Sequence, residues 1–482
     1  MRRHNFNFLL IICIVCFSTS CDVIVQTPES DITSDNFWKT PKDAEAGLIA
    51  VYNLYMNSAQ KAFELGEVRS DNVEVPPKWG YEMVAGYQDL NNNIFGPTDG
   101  FCNWVPFYNV ITRANEVLFY TEKIEFKDNV DKSRILGEAY FIRANSYFIL
   151  AKNWGAVPLI IEPFFSQGEN MYVERTSVDK IYDQILNDLT LAEGLLPITR
   201  SDLRVRATKA AAQALFCDVL LTRGYSKFAQ TTDFSTAITK ADAVLANTNY
   251  SLESGAKYAD IFRKGNSTES ILEISFDYKN SQTQGLCNFF LPRAYTKKRP
   301  YGGQIIMMPS HSLVNSFEPG DLRSTTTFTV LSKDEEKYYD KEVKGMTYGN
   351  KYLGTVTEIG VMRYSDNHII IYRLPDVMLM KAEALIKINK ISEAVNIVNQ
   401  IRSRAGLPSK TTSTAAEALD LVLDERKKEL AFEGKRWYDL LRTGKVSTFR
   451  TEPEFIKGRF LLAVPQVEID RNPKLLPQNP TF

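Results

Sequence analysis

The residues best placed to do chemistry lie near the C-terminus, in ERKKELAFEGKRWYDLLR, residues 425–442. Glu425, Glu429 and Glu433 recur every four residues, so on one helix they stand a turn apart on a single face, with about 5–6 Å between neighbouring Cβ atoms. Two carboxyl groups at about that separation can cleave a glycosidic bond, one as acid and the other as nucleophile. Such chemistry needs one carboxyl desolvated and held beside a second across an open cleft. The neighbours point elsewhere: Lys428 lies three residues after Glu425, and Arg436 and Trp437 follow Glu433 within the same short reach. Interleaved opposite charges are the pattern of a salt-bridged helix face. Leu430, Phe432, Trp437, Leu440 and Leu441 form the opposite face and bury against the rest of the fold, so the array reads as scaffold.

Other chemistry finds less support. Beyond residue 20 the chain has only His311 and His368, with no H-E-x-x-H and no cysteine pair at zinc spacing, so no metal or cofactor is assigned. Both histidines read as solvated or hydrogen-bonded. TGKVS, residues 443–447, lacks the glycine and the Lys-Ser/Thr adjacency of a phosphate loop. NNNIFGPTDG, residues 91–100, is oxygen-rich but departs from the alternating calcium-loop pattern and reads as a turn-rich loop.

The elements that must position any site are mostly helices. The 482 residues are 44% hydrophobic and 24% charged, a globular composition. Thr40, Pro41 and Asp43 make a helix start, followed by a stripe of Ala44, Leu48, Val51, Tyr52 and Tyr55. Similar signals recur in NWVPFYNVITRANEVLFY, KSRILGEAYFIRANSYFILAKNW, TSVDKIYDQILNDLTLAEGLLP (with Thr176 and Asp179 as a box), ATKAAAQALFCDVLLTRGY and DFSTAITKADAVLAN. Residues 40–248 thus form a run of helix pairs. From 251 to 367 the chain is rich in Gly, Ser, Thr, Lys and Tyr, with short strand-like pieces such as SILEISF; long irregular segments of this kind are commonly functional. Helix pairs return in LPDVMLMKAEALIKI and SEAVNIVNQIRSRAG, and a box from Thr414 to Glu417 starts the helix that carries the glutamates, interrupted or bent at Gly434 and ended at Gly444. The pairs suggest tetratricopeptide-like units without a clean 34-residue period. The last residues, rich in Pro and Asn, form an extended tail.

The N-terminus, MRRHNFNFLLIICIVCFSTSC, has two arginines, an apolar run of about ten residues and small residues before Cys21. The run is half the length that a membrane-spanning helix needs, so residues 1–20 read as a secretory signal. Small residues ahead of a cysteine resemble a bacterial lipobox, with Ser18 where many carry Leu, and imply an acylated Cys21. Removing residues 1–20 takes away Arg2 and Arg3 and no acid, leaving the formal net charge more negative than −1. Nothing in that balance favours nucleic acid. With Cys21 acylated, Cys102, Cys217 and Cys287 remain, an odd number that precludes a fully paired disulfide framework.

Taken in order, the lipobox, TSDNFWKTPKDAEAGLIAVY, WVPFYNVITRANEVL, GEAYFIRANSYFILAKNWGAVPLI, RATKAAAQALFCDVLL, IIIYRLPDVMLMKAEAL, ERKKELAFEGKRWYDLLR and AVPQVEIDRNPKLLPQNP resemble the SusD/RagB family of outer-membrane nutrient-binding lipoproteins over nearly the whole chain. The resemblance implies a mainly α fold, a tetratricopeptide-like helix-pair scaffold with an irregular ligand-facing region. It implies one domain over 21–482: an N-terminal helical part (21–250), the irregular region (251–367) and C-terminal helices with the tail (368–482). It also implies a lipid-anchored, cell-surface protein of the outer membrane, not an enzyme, that captures oligosaccharide, or peptide in the RagB branch, and partners a SusC-like TonB-dependent transporter. A glycoside hydrolase and a purely structural interaction repeat are the competing classes.

Sugar rings stack on Trp and Tyr, while planar polar side chains bond their hydroxyls. Trp38, Trp104, Trp154 and Trp437 have apolar helical neighbours and read as core. Trp79, in RSDNVEVPPKWGYEMVAGY, follows two prolines between helices, where a loop presents it outward. Arg69, Asp71, Asn72, Tyr81 and Tyr87 in the same segment complete a candidate pocket wall, although Ser-Asp-Asn also reads as a turn or cap. Tyr295, Tyr301 and Arg363, from the irregular region, are candidates for the facing wall.

Overall fold

A computed structural model describes residues 37–75, 82–164, 171–200, 204–292, 303–333, 345–357 and 363–482. Cys21 and the signal segment lie outside the described residues. Eleven longer helices carry the architecture: α1 (Pro41–Glu67), α2 (Glu82–Asn91), α3 (Val105–Thr121), α4 (Asn129–Trp154), α5 (Val178–Leu195), α6 (Lys209–Gly224), α7 (Asp233–Leu245), α8 (Leu374–Lys387), α9 (Ile391–Arg404), α10 (Ala415–Glu429) and α11 (Arg436–Arg442).

Local chemistry explains the starts. At α1 the Thr40 hydroxyl accepts from the Asp43 amide, and the Asp43 carboxylate accepts from the Thr40 amide at 2.7 Å, with Pro41 at the first helical position. The predicted stripe is buried at Ala44, Leu48, Val51 and Tyr55, while Tyr52 stays half-buried. Thr414 caps α10 by accepting from the Glu417 amide. At α5 the start falls one residue after the predicted Thr176: Ser177 is the N-cap and makes no side-chain cap bond.

Each helix from α4 to α7 packs on its predecessor, α3 packs on α1, α8 returns onto α7, and α9 and α10 continue the series. The result is a tetratricopeptide-like stack of helix pairs in a mainly helical protein. Its apolar core runs from α1 through α10, and the alanine face of α6 (Ala210, Ala211, Ala212, Ala214) is fully enclosed, permitting close helix approach.

Between α7 and α8 the chain leaves the stack. It departs and returns through one antiparallel pair, Ser270–Ile274 against Ile369–Arg373, with Ile369 opposite Ile274 and Arg373 opposite Ser270. The described part of this excursion holds only short helical turns and short strands. One pair reaches across the molecule: Val73–Glu74, just past α1, with Met308–Pro309.

The glutamate-bearing helix differs from its predicted course. It ends at Glu429, passes through Phe432 (φ 62°) and Gly434 (φ 70°), and restarts at Arg436. Glu67, at the end of α1, holds this turn by accepting from the Phe432 amide at 3.1 Å and the Gly434 amide at 2.9 Å. Gly66 is needed for the approach, since a Cβ there would lie 2.0 Å from the Gly434 carbonyl oxygen. The C-terminal tail is a short helix, Gln466–Arg471, with extended flanks, pinned where Trp154 Nε1 donates to the Ala463 carbonyl.

Candidate ligand-binding face

The carboxylate array is buried. Glu425 and Glu429 are 0% exposed, and Glu433 sits beyond the end of their helix rather than on its face. Their partners come from far along the chain. Glu425 receives Arg323 at 2.6 Å; Glu429 receives Arg373 at 2.5 Å, Arg323 at 2.9 Å and Arg404; Glu433 receives Arg373 and Lys351. The local pairings are minor: Lys428 lies 3.8 Å from Glu425 and closer to Asp424, and Arg436 turns to Asp71. Burial alone would raise the Glu429 carboxyl, but the Arg404, Arg373 and Arg323 guanidiniums outweigh it and hold it well below the usual carboxylate range. A buried carboxylate so held has no proton to give as a general acid at neutral pH, and its ion pairs tie α10 to the segments that carry the three arginines.

The candidate residues at the end of α1 are inside the protein. Arg69 is 0% exposed, lies 4.1 Å above the Trp437 ring centroid and donates to the Arg459 and Phe460 carbonyls. Asp71 is paired with Arg436 at 2.7 Å and Lys427 at 2.8 Å. Asn72 donates to Glu67 at 3.0 Å. All three are committed to other parts of the chain rather than facing solvent.

Tyr87 is placed differently. Half-buried on α2, it has ring centroids of Phe101 and Phe289 at 5.2 and 5.4 Å, and its hydroxyl donates to Glu64 at 2.9 Å. Glu64 also accepts from Gln60, whose Oε1 accepts from the Gly285 amide. Burial raises the Glu64 carboxyl, offset by the bonds from Gln60 and Tyr87. Sequence reading missed Gln60, Glu64, Phe101 and Phe289; the Gln60/Glu64 spacing of four on α1 was the one signal for half of this set. Arg363, in the short Arg363–Tyr364 strand, donates to the Leu353 carbonyl, and the next residue, Tyr364, stacks on Tyr278 at 4.7 Å. Trp79, Tyr81, Tyr295 and Tyr301 lie outside the described residues.

What the structure does bring together are the stems. Val73–Glu74 pairs with Met308–Pro309, and Asn91, at the end of α2, donates to the Val68 and Val73 carbonyls at 2.6 and 3.1 Å. Gly303 packs against the Cys287, Asn288 and Leu291 carbonyls, beside Phe289. The chain just before residues 76–81 and the chain a few residues after 293–302 therefore run side by side.

The other predicted tryptophans are core: Trp104, Trp154 and Trp437 are buried, and Trp38 is half-buried and stacked on Tyr120 at 5.1 Å. Among the described residues no cluster of three His, Cys, Asp or Glu side chains is arranged to hold a metal. His368 Nδ1 lies 2.6 Å from Glu273, and exposed His311 lies 3.2 Å from Glu74. Elsewhere, a cleft of about 570 Å³ opens between the first two turns of α3, residues 158–160 and 171–173, and the C-terminal tail, with Trp104 and Tyr108 on one wall and Tyr172 on another.

Two family models match the chain: the SusD family over residues 332–482, and a family described as starch-binding, associating with outer membrane, over residues 29–221. SusD-like protein P38 of Formosa agariphila is 26% identical, with 92% of each chain covered. Among solved structures, B. fragilis NanU is 25% identical with a TM-score of 0.79, covering 94% of this chain and 99% of its own. A laminarin-binding SusD-like protein is 26% identical with a TM-score of 0.77, covering 92% of this chain and 100% of its own. With residues 29–221 and 332–482 matched by models of this kind and 92% of the chain aligned with a solved SusD-like protein, the chain belongs to the SusD family.

Proposed function

We propose that the protein is a non-enzymatic glycan-binding protein of the outer membrane, which captures an oligosaccharide and delivers it to a SusC-like TonB-dependent transporter. The observation that carries this reading is its likeness, over 92% of the chain, to a laminarin-binding SusD-like protein. In this proposal Cys21 bears the lipid anchor and the ligand face is turned to the cell exterior. A single acyl chain anchors only marginally, so a stable anchor requires several. Trp79 and Tyr81 on one side, and Tyr295, Tyr301 and Arg363 on the other, are the proposed ligand contacts, with Tyr87 beside them. Arg69, Asp71 and Asn72 have no direct contact in this reading.

Affinity electrophoresis and calorimetry of the mature chain against laminarin, starch, other polysaccharides and a peptide panel test it. Retardation by at least one polysaccharide is expected. Trp79→Ala should then weaken that affinity by about tenfold or more, the loss of 1.4 kcal/mol or greater typical of a central aromatic contact. Binding to peptides alone would replace the glycan reading with the RagB-like one, and release of reducing ends would make the protein an enzyme. Mass spectrometry of the N-terminal peptide tests the lipid at Cys21, and co-purification with a β-barrel from solubilised membranes tests the transporter.

A further inference from the structure

The glycan-binding reading leaves a group of buried charges beneath the ligand face without a part to play. We propose that Asp71, Lys427 and Arg436 are positioning residues: they form a junction that sets the two stems of the ligand face, residues 73–75 and 303–310, at a fixed distance from each other and from the C-terminal helices. The junction is a structural assignment; its effect on affinity rests on the glycan-binding reading.

The two stems cannot hold their own register. Among the described residues their only strand pairing is two residues long, Val73 with Pro309 and Glu74 with Met308, far below what stands alone in water. The second stem is also bonded through the Gln304, Ile305 and Met307 amides to the Asn288, Leu291 and Phe289 carbonyls, and further connections come from immediately beneath. Asp71 accepts from Arg436 Nε at 2.7 Å and from Lys427 Nζ at 2.8 Å, and Lys427 Nζ also donates to Ser312 Oγ at 2.7 Å, so one ammonium ties the residues just before the first stem to those just after the second. Ser310 closes the bridge on the backbone: its hydroxyl donates to the Asp71 carbonyl at 2.5 Å and its amide to the Asn72 carbonyl at 2.8 Å.

The charges are well suited to such a task. Asp71 is 5% exposed and Lys427 4%. Burial pushes the Asp71 carboxyl up, yet Arg436 and Lys427 outweigh it and bring it down to about 2, so Asp71 stays a carboxylate at ordinary pH; burial lowers the Lys427 ammonium, against the pull of Asp71. Removing one member of a buried, paired set leaves the others uncompensated, which makes the geometry all-or-none rather than graded.

Amide hydrogen exchange of the mature full-length chain, read by mass spectrometry over residues 73–75 and 303–310, tests the junction without any ligand. Asp71→Asn and Lys427→Met should each speed exchange there by about tenfold or more, and the double variant by no more than the larger single effect, because the partners act as one unit. Lys427→Arg, which keeps the charge, should restore slow exchange. Asp188→Asn breaks a different buried pair, with Arg143 at 2.7 Å between α4 and α5; compared at the same residual stability, it should leave the stems unchanged. In the glycan assay, Asp71→Asn and Lys427→Met should weaken binding by about tenfold while Asp188→Asn does not. Unchanged stem exchange in Lys427→Met, or an equal rise in Asp188→Asn, overturns the proposal even if Asp71→Asn fails to fold. A wild-type protein that binds no polysaccharide removes the glycan reading and leaves the exchange result to decide the junction.

Discussion

Between α4 and α6 the interior is mostly apolar, with Ile142, Ile185, Ala211 and Leu215 fully buried around a single ion pair, Arg143 with Asp188. Beneath α10 a comparable interior is filled by Arg323, Arg373, Arg402, Glu425 and Glu429, equally buried and all charged. The two regions resist change in different ways. Apolar packing is non-directional, so a lost methylene costs its transfer energy and a small cavity. The ionic region has already met the desolvation of every group in it, and its return depends on each partner being in place. The helix stack can therefore be read as generic filling, whereas the ionic region specifies one arrangement of distant segments: the irregular excursion through Arg323 and Lys351, the returning strand through Arg373, and α9 through Arg402 and Arg404.

The sharpest way to break this contrast is Glu429→Ala, which strands Arg373, Arg404 and Arg323 at once. A loss of roughly 3–5 kcal/mol in denaturant unfolding is expected; a loss under 1 kcal/mol would place the ionic region with ordinary surface bridges.

Glu67 probes the joint between the two regions. Burial raises its carboxyl from 4.5 to about 7, against the bonds from Asn72 and from the Phe432 and Gly434 amides. A carboxyl whose folded pKa is raised binds its proton more readily folded than unfolded. Its contribution is therefore full below about pH 4.5 and lost as pH rises through 7, a fall on the order of 3 kcal/mol. Glu67→Gln cannot ionise and should flatten that slope between pH 5 and 8, although its amide gives up one acceptor. Thermal or urea midpoints across that range provide the check.

In the helix stack, Ile185→Val should cost only about 0.5–1.5 kcal/mol, with no pH dependence. A larger effect there would erase the difference between the regions. The Trp79→Ala loss of affinity belongs to neither and should appear with an unfolding midpoint close to wild type.

Much of the scaffold was legible because its determinants are near neighbours in the chain. Thr40 and Asp43, three residues apart, cap α1, and Thr414 caps α10. Gly406 and Gly444, both at positive φ, follow their helices as expected. The site was less legible. Ser-Asp-Asn in residues 70–72 has the look of a loop entry, and its turn character is real, since the Ser70 amide donates back to the Glu67 carbonyl. What cannot be seen locally is that Arg436 and Lys427, more than 350 residues away, draw Asp71 inward. Tyr87 is nominated by composition and segment, but its neighbours Phe101 and Phe289 come from different elements and meet only in the fold.

The sequence by itself determined the helix pairs, the irregular excursion between them and the family resemblance, because periodicity, capping and ordered motifs are short-range patterns. It also identified Glu425, Glu429 and Glu433 as members of a bridged set. Tertiary structure alone decided with whom they bridge. Helical spacing nominates Lys428 and Arg436, three residues away, yet Arg323, Arg373 and Arg404 take those places. The reason is physical: a charge face in water and a charge face in a core have the same spacing, and only the surrounding chain, by removing the water, decides which cations must come.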